Sequence, residues 1–155
     1  FVFVRDEISQ SLDVETEALP CSASQVLKAK TGLSYAKSHL LAALLRSRGV
    51  PAGFAYQRIF DPGTTTGLAL HGIVVAWFSS LQSWVPLDPR GNSGRLRSEF
   101  RTHPPPSLAH EPDPDSGAVL YPVIYARPLR RVVDLLDRAD ALSRIRRHLP
   151  ADMGP

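Results

Sequence analysis

Three side chains, met in order along the chain, have the types that nucleophilic catalysis uses: a hydroxyl at Ser34, an imidazole at His71 and a carboxylate at Asp88. A nucleophile is best activated at the N-terminus of a buried helix, where unpaired backbone N–H groups and the helix dipole favour negative charge. The same N–H groups can hold the oxyanion of a tetrahedral intermediate. A histidine must then reach the nucleophile from another element to serve as base and acid, and a carboxylate must orient that histidine. Here a turn led by Gly32 feeds a long apolar helix, His71 opens the next long strand, and Asp88 closes the strand after that.

The elements that must position these groups are legible from periodicity. Val4, Ile8 and Leu12 share one side of a short N-terminal helix, and Ser22 with Gln25 forms a capping box that predicts a helix over residues 23–30, stopped by Gly32. From Leu33, the residues Ala36, Leu40, Leu41, Leu44 and Leu45 make a wide apolar stripe, while Lys37, Ser38, Arg46 and Arg48 fall largely outside it. A stripe that wide predicts a central, largely buried helix, ended by Gly49 and Pro51. Strands follow at 54–60, 68–78 and 84–87, separated by short turns, and imply an antiparallel meander packed on the preceding helix. Residues 103–117 hold five of the fourteen prolines and read as an irregular surface arm that covers the rest rather than a core element. A short strand at 119–125 and C-terminal helices over 128–149 complete the expectation of an α+β fold, with all 155 residues in a single domain.

Composition narrows the function classes. A single cysteine, Cys21, excludes an internal disulfide and a cysteine-rich zinc site, and it suits a reducing, cytoplasmic setting. No apolar run is long enough to span a membrane. The charges at Arg5, Asp6 and Glu7 leave no signal-peptide pattern in a chain that begins at Phe1 rather than Met. Seven arginines against three aspartates between Arg127 and His148 carry the positive balance of the chain. Without stacking aromatics or a nucleic-acid motif, that basic segment reads as a solvated amphipathic face, so neither nucleic acid nor membrane is the expected partner.

The stretch from Gly32 to Arg46, followed by Gly49-Val50-Pro51-Ala52-Gly53, resembles the nucleophile helix of the transglutaminase-like superfamily and the turn that follows it. Leu70-His71-Gly72 looks like that family's histidine at a strand start, and Trp84-Val85-Pro86-Leu87-Asp88 looks like its aspartate-bearing strand. The resemblance is close over residues 20–95. It implies a papain-like architecture and acyl transfer or amide hydrolysis through a Cys-His-Asp triad, acting on a peptide, protein or small amide or acyl substrate, with no metal or cofactor. It leaves the oligomeric state open. The departure is at position 34, where the family pattern has cysteine and this chain has Ser34.

That departure matters because a thiol ionises near pH 8.5 and a helix end can lower this further, whereas a serine hydroxyl cannot be ionised in advance by the same field. Three explanations stay open: an introduced replacement that traps an inactive enzyme, a natural loss of the nucleophile, and a working serine. Ala55, where relatives often carry cysteine, leans towards natural drift. If turnover has gone, the alternative is a binding module that holds a peptide or acyl ligand in the same cleft. Tyr35 and Gln57 are the expected substrate contacts, with the Gln57 amide donating to a substrate carbonyl and Tyr56 beside it. Cys21 reads as a structural thiol, His39 as pointing away from the nucleophile, and His103, His110 and His148 as surface residues.

Overall fold

The computed structural model describes residues 1–154. Its elements are α1 (Val2–Glu7), β1 (Ser9–Gln10), α2 (Ala23–Ala29), β2 (Thr31–Gly32), α3 (Ser34–Ser47), β3 (Ala52–Phe60), β4 (Leu68–Phe78), β5 (Ser83–Leu87), β6 (Val119–Leu120), α4 (Arg130–Arg138) and α5 (Leu142–Ile145). The predicted capping box forms: Ser22 Oγ accepts from the Gln25 N–H, and Gln25 Oε1 accepts from the Ser22 N–H at 2.8 Å. The helix stops at Lys30, which adopts left-handed φ, and not at Gly32, because Gly32 is taken up in a parallel pairing of β2 with β1. No helix among the described residues is long and apolar enough to cross a membrane.

Every residue of α3 from Ser34 to Ala42 is buried. That includes Lys37 and Ser38, which the periodicity sets outside the apolar stripe. Lys37 is fully buried, and its Nζ donates to the carbonyls of Arg90 at 2.8 Å, Arg5 at 3.3 Å and Ile8. The ammonium therefore ties α3 to the chain end of α1 and to the turn after β5. Burial, reinforced by Arg90, pushes its pKa down to about 8. Ser38 Oγ donates to the Gly72 carbonyl at 2.9 Å and ties α3 to β4. Hydrophobicity alone misplaces both residues because it cannot see the carbonyls that satisfy them.

The main sheet has the order β5-β4-β3-β6, all antiparallel. Only Val119 and Leu120 pair as β6; Pro122 supplies no N–H, and the ladder resumes only as a single bridge from Phe54 to Tyr125. Alternation gives the sheet two occupied faces. Val74 and Ala76 join the main core with Leu40 and Leu41 of α3, and that core continues to Val132, Leu136 and Leu149 near the C-terminus. Ile73 and Val75 point the other way, into a second cluster with Ala55 and Leu108. Leu108 and Ala109 are buried. The proline-rich segment is thus an irregular, largely surface arm as expected, except at Leu108 and Ala109, which are buried because an apolar sheet face needs covering. On the far side, α4 and α5 are laced by exposed Arg130–Asp134, Arg138–Asp134 and Arg144–Asp140 pairs.

β5 pairs with β4 only from Val74 to Phe78. Its N–H partners on β4 are the even-numbered residues, so Gly72 and Leu70 present their N–H groups to an edge that β5 has left. Gly72 donates there to Ser34 Oγ and Leu70 to the Pro150 carbonyl. A Cβ at residue 72 would lie 3.1 Å from both Cα and Cδ1 of Tyr35, tighter than ordinary contact, so a larger residue there would push the start of α3 away by a few tenths of an ångström. Close approach of β4 to the start of α3 is what that missing atom permits.

Replacing Lys37 with methionine leaves three buried carbonyls without their donor and is expected to lower unfolding stability by about 3 kcal/mol. Urea denaturation of Lys37→Met checks this; a loss below about 0.5 kcal/mol would show that the ammonium is not the tie.

Candidate active site

Asp88 follows directly on β5 and is completely buried. Its Oδ2 accepts from His71 Nε2 at 2.9 Å and from the Ala109 N–H at 2.9 Å, while Oδ1 accepts from the Arg90 N–H at 3.0 Å. Burial alone disfavours the carboxylate and is the largest single influence. His71 and the two backbone donors together outweigh it and hold Asp88 below its ordinary pKa. An ionised carboxylate only accepts, so the proton of this bond sits on His71 Nε2. Nδ1 is then the free ring nitrogen.

His71 lies opposite Gln57 in the β3–β4 register and shares the sheet face of Ile73 and Val75. Ser34 arrives from the other side, as the first residue of α3, where the opening N–H groups of the helix have no partner within it. The two approaches meet at the edge left by β5. Ser34 and His71 both line a cleft of about 320 Å³. Ser34 Oγ accepts from the Gly72 N–H at 3.2 Å. Among the described residues, no hydrogen bond joins Ser34 to His71.

The walls of the cleft carry charge in matched pairs. Arg90 makes a two-pronged contact with Asp13, both distances 2.9 Å, and Arg146 makes one with Asp61 at 2.9 and 2.7 Å. The second pair draws the C-terminal segment against the β3–β4 turn, where Thr65 also donates to the Arg147 carbonyl at 2.9 Å.

The two expected substrate contacts fare differently. Tyr35 borders the cleft, but its hydroxyl donates to the Leu70 carbonyl, and burial pushes its pKa upward. Gln57 does not reach the cleft. It is wholly buried, and its Nε2 donates to the His110 carbonyl, so its amide faces the arm and not the space where a substrate carbonyl would lie. The reason is strand alternation: Gln57 points to the face that the proline-rich arm covers. Tyr56 points to the opposite face, where its hydroxyl accepts from the Leu129 N–H at 2.9 Å.

His110 is the residue that the sequence reading misses. Its ring sits against His71, centroids 5.0 Å apart in a T-shaped contact, and it lines the cleft. Burial, then the charge of His71, pushes its pKa down to about 4. Nothing in the local sequence signals this, because a histidine among prolines looks like a loop residue. His103 and His148 are exposed as expected. His39 is buried away from the cleft, with Nδ1 donating to the Cys21 carbonyl at 2.7 Å. The Cys21 thiol is buried, and desolvation with the neighbouring Asp137 pushes its pKa up to about 12, so it is an inert structural group.

A sequence model described as the transglutaminase-like superfamily matches residues 1–89, a span that contains Ser34, His71 and Asp88. No curated protein and no solved structure matches the chain.

Because the folded pKa of Asp88 lies below its ordinary 3.8, its stabilising contribution is present above that value and is lost as pH falls through the folded one. Asp88→Asn is expected to be less stable than the parent by about 2–3 kcal/mol at neutral pH. The gap should close in acid, below about pH 3.8. Denaturant titrations of both proteins across this range check it; a gap independent of pH would contradict the assignment.

Proposed function

The chain belongs to the transglutaminase-like superfamily, and on that premise we propose that the cleft is an acyl-transfer site of the Cys-His-Asp type, with Ser34 at the nucleophile position, His71 as base and acid, and Asp88 as the group that orients His71. The observation that carries this reading is the buried His71–Asp88 bond at 2.9 Å, opening on the same cleft as the first residue of α3. The architecture it implies is papain-related: a helix delivers the nucleophile, and a sheet delivers the histidine and the carboxylate.

With cysteine at position 34, the proposed steps are these. A thiolate at the helix N-terminus attacks an acyl carbonyl, and the opening N–H groups of α3 receive the developing oxyanion. His71, protonated at Nδ1 in that state, gives its proton to the departing amine, and a thioester remains. His71 Nδ1 then takes a proton from an incoming amine or water, which attacks the thioester and frees the thiolate. The substrate class is a peptide, protein or small amide.

With serine, the hydroxyl is not ionised in advance, and deprotonation must accompany attack. The expected cost is about four to six powers of ten in rate, the scale of losing a nucleophile from a triad. The chain as it stands therefore holds an acyl or peptide group with little or no turnover. A purely binding role for the same cleft is favoured by one observation: Ser34 Oγ is engaged by the Gly72 N–H and not by His71. A reducing, cytoplasmic setting, in which Cys21 persists as a thiol, fits both readings.

Ser34→Cys tests the site directly. Its new thiol should react with iodoacetamide at pH 6, well below the ordinary thiol range, while the parent stays inert because Cys21 is buried and poorly ionised. Adding His71→Ala should slow alkylation by about tenfold or more. A folded Ser34→Cys protein with no thiol reactive at neutral pH would end the acyl-transfer reading.

A further inference from the structure

A hydrogen bond from Nε2 to Asp88 fixes one atom of the His71 ring and leaves the ring free to pivot about that bond. Directing Nδ1 at the start of α3 requires a second contact, off the bond axis. Among the described residues, the ring that packs against His71 is that of His110, 5.0 Å away between centroids, with the planes at 66°.

His110 is held there by the backbone of residues 108–110. Leu108 is buried among Ala55, Ile73 and Val75 of the sheet face that also bears His71. The Ala109 N–H donates to Asp88 Oδ2, the same oxygen that receives His71 Nε2. The His110 carbonyl accepts from Gln57 Nε2, and Gln57 stands opposite His71 in the strand register. Three anchors on three consecutive residues leave this short piece of an otherwise irregular arm with one placement.

We infer that His110 is a positioning residue for His71, whose ring holds the imidazole so that Nε2 faces Asp88 and Nδ1 faces the N-terminus of α3, and shields the Nε2–Oδ2 bond from water. The charged and titratable groups around His110 are His71, Asp88, Arg90 and Asp61. Burial together with His71 and Arg90 keeps its ring neutral over the working range, so no second cation stands beside His71 when that residue takes up a proton. Shape rather than basicity is what the contact supplies. An aromatic ring of similar size should therefore serve, and a small side chain should not.

This inference rests on the reading of His71 and Asp88 as part of the site, so its test is a measurement that needs no turnover. Imidazole NMR on the ¹⁵N-labelled full chain with Ser34 in place should show one His71 tautomer, with a slowly exchanging Nε2 proton. In His110→Phe that proton should persist, exchanging within about twofold of the parent rate. In His110→Ala it should exchange at least about tenfold faster, with melting temperatures recorded for all three proteins. If His110→Ala does not fold, His110→Gln takes its place, since an unbranched amide cannot cover the ring, and the same tenfold rise is expected. A slow proton retained in His110→Ala or His110→Gln overturns the proposal. So does its loss in His110→Phe, or its absence from the parent. In the Ser34→Cys protein, His110→Ala should also slow iodoacetamide alkylation at pH 6 by about tenfold, while His110→Phe restores it. An unreactive Ser34→Cys thiol would end the acyl-transfer reading and leave the exchange result standing.

Discussion

A carboxylate withdrawn completely from water must be met by donors on every side, and the donors that meet Asp88 come from three separate parts of the chain. His71 comes from β4, the Arg90 N–H from the turn just beyond β5, and the Ala109 N–H from the proline-rich arm. Without these partners the charge would be expelled or neutralised. Satisfying one buried group therefore fixes the Nε2 end of the His71 ring, the course of the chain after β5, and the path of a segment that has no regular structure of its own.

The second constraint is the length of β5. Had that strand run further along β4, its backbone would have taken the N–H of Gly72 and closed the edge to which α3 delivers Ser34. Because it stops, Ser34 reaches the edge from one face of the sheet and the His71–Asp88 pair from the other. The absent side chain of Gly72 permits the approach, and Lys37 and Ser38 secure the helix that makes it. Lys37 is instructive here: one buried ammonium, held by three carbonyls, joins α3 to the end of α1 and to the turn after β5.

The legible parts of the fold are those in which neighbours in sequence decide the outcome. The capping box at Ser22 and Gln25, the long strand over residues 68–78, and the burial of the helix after Leu33 all follow from patterns that span a few turns or a few alternations. The less legible parts depend on distant partners. Lys37 reads as lying outside the apolar stripe until the carbonyls of Arg5, Ile8 and Arg90 surround it. Gln57 reads as a cleft residue until the strand register turns it towards the arm.

From its residues alone this chain shows the order of a serine, a histidine and a carboxylate and the helix and strands that bear them. Those are local properties: residue type, periodicity and capping need no knowledge of the rest of the molecule. Only the tertiary structure decided that His110 stands against His71, that the arm donates to Asp88, and that Tyr35 and Gln57 are engaged elsewhere. The physical reason is that a buried polar group takes whichever partner the packed chain brings within reach, and sequence separation puts no bound on where that partner comes from.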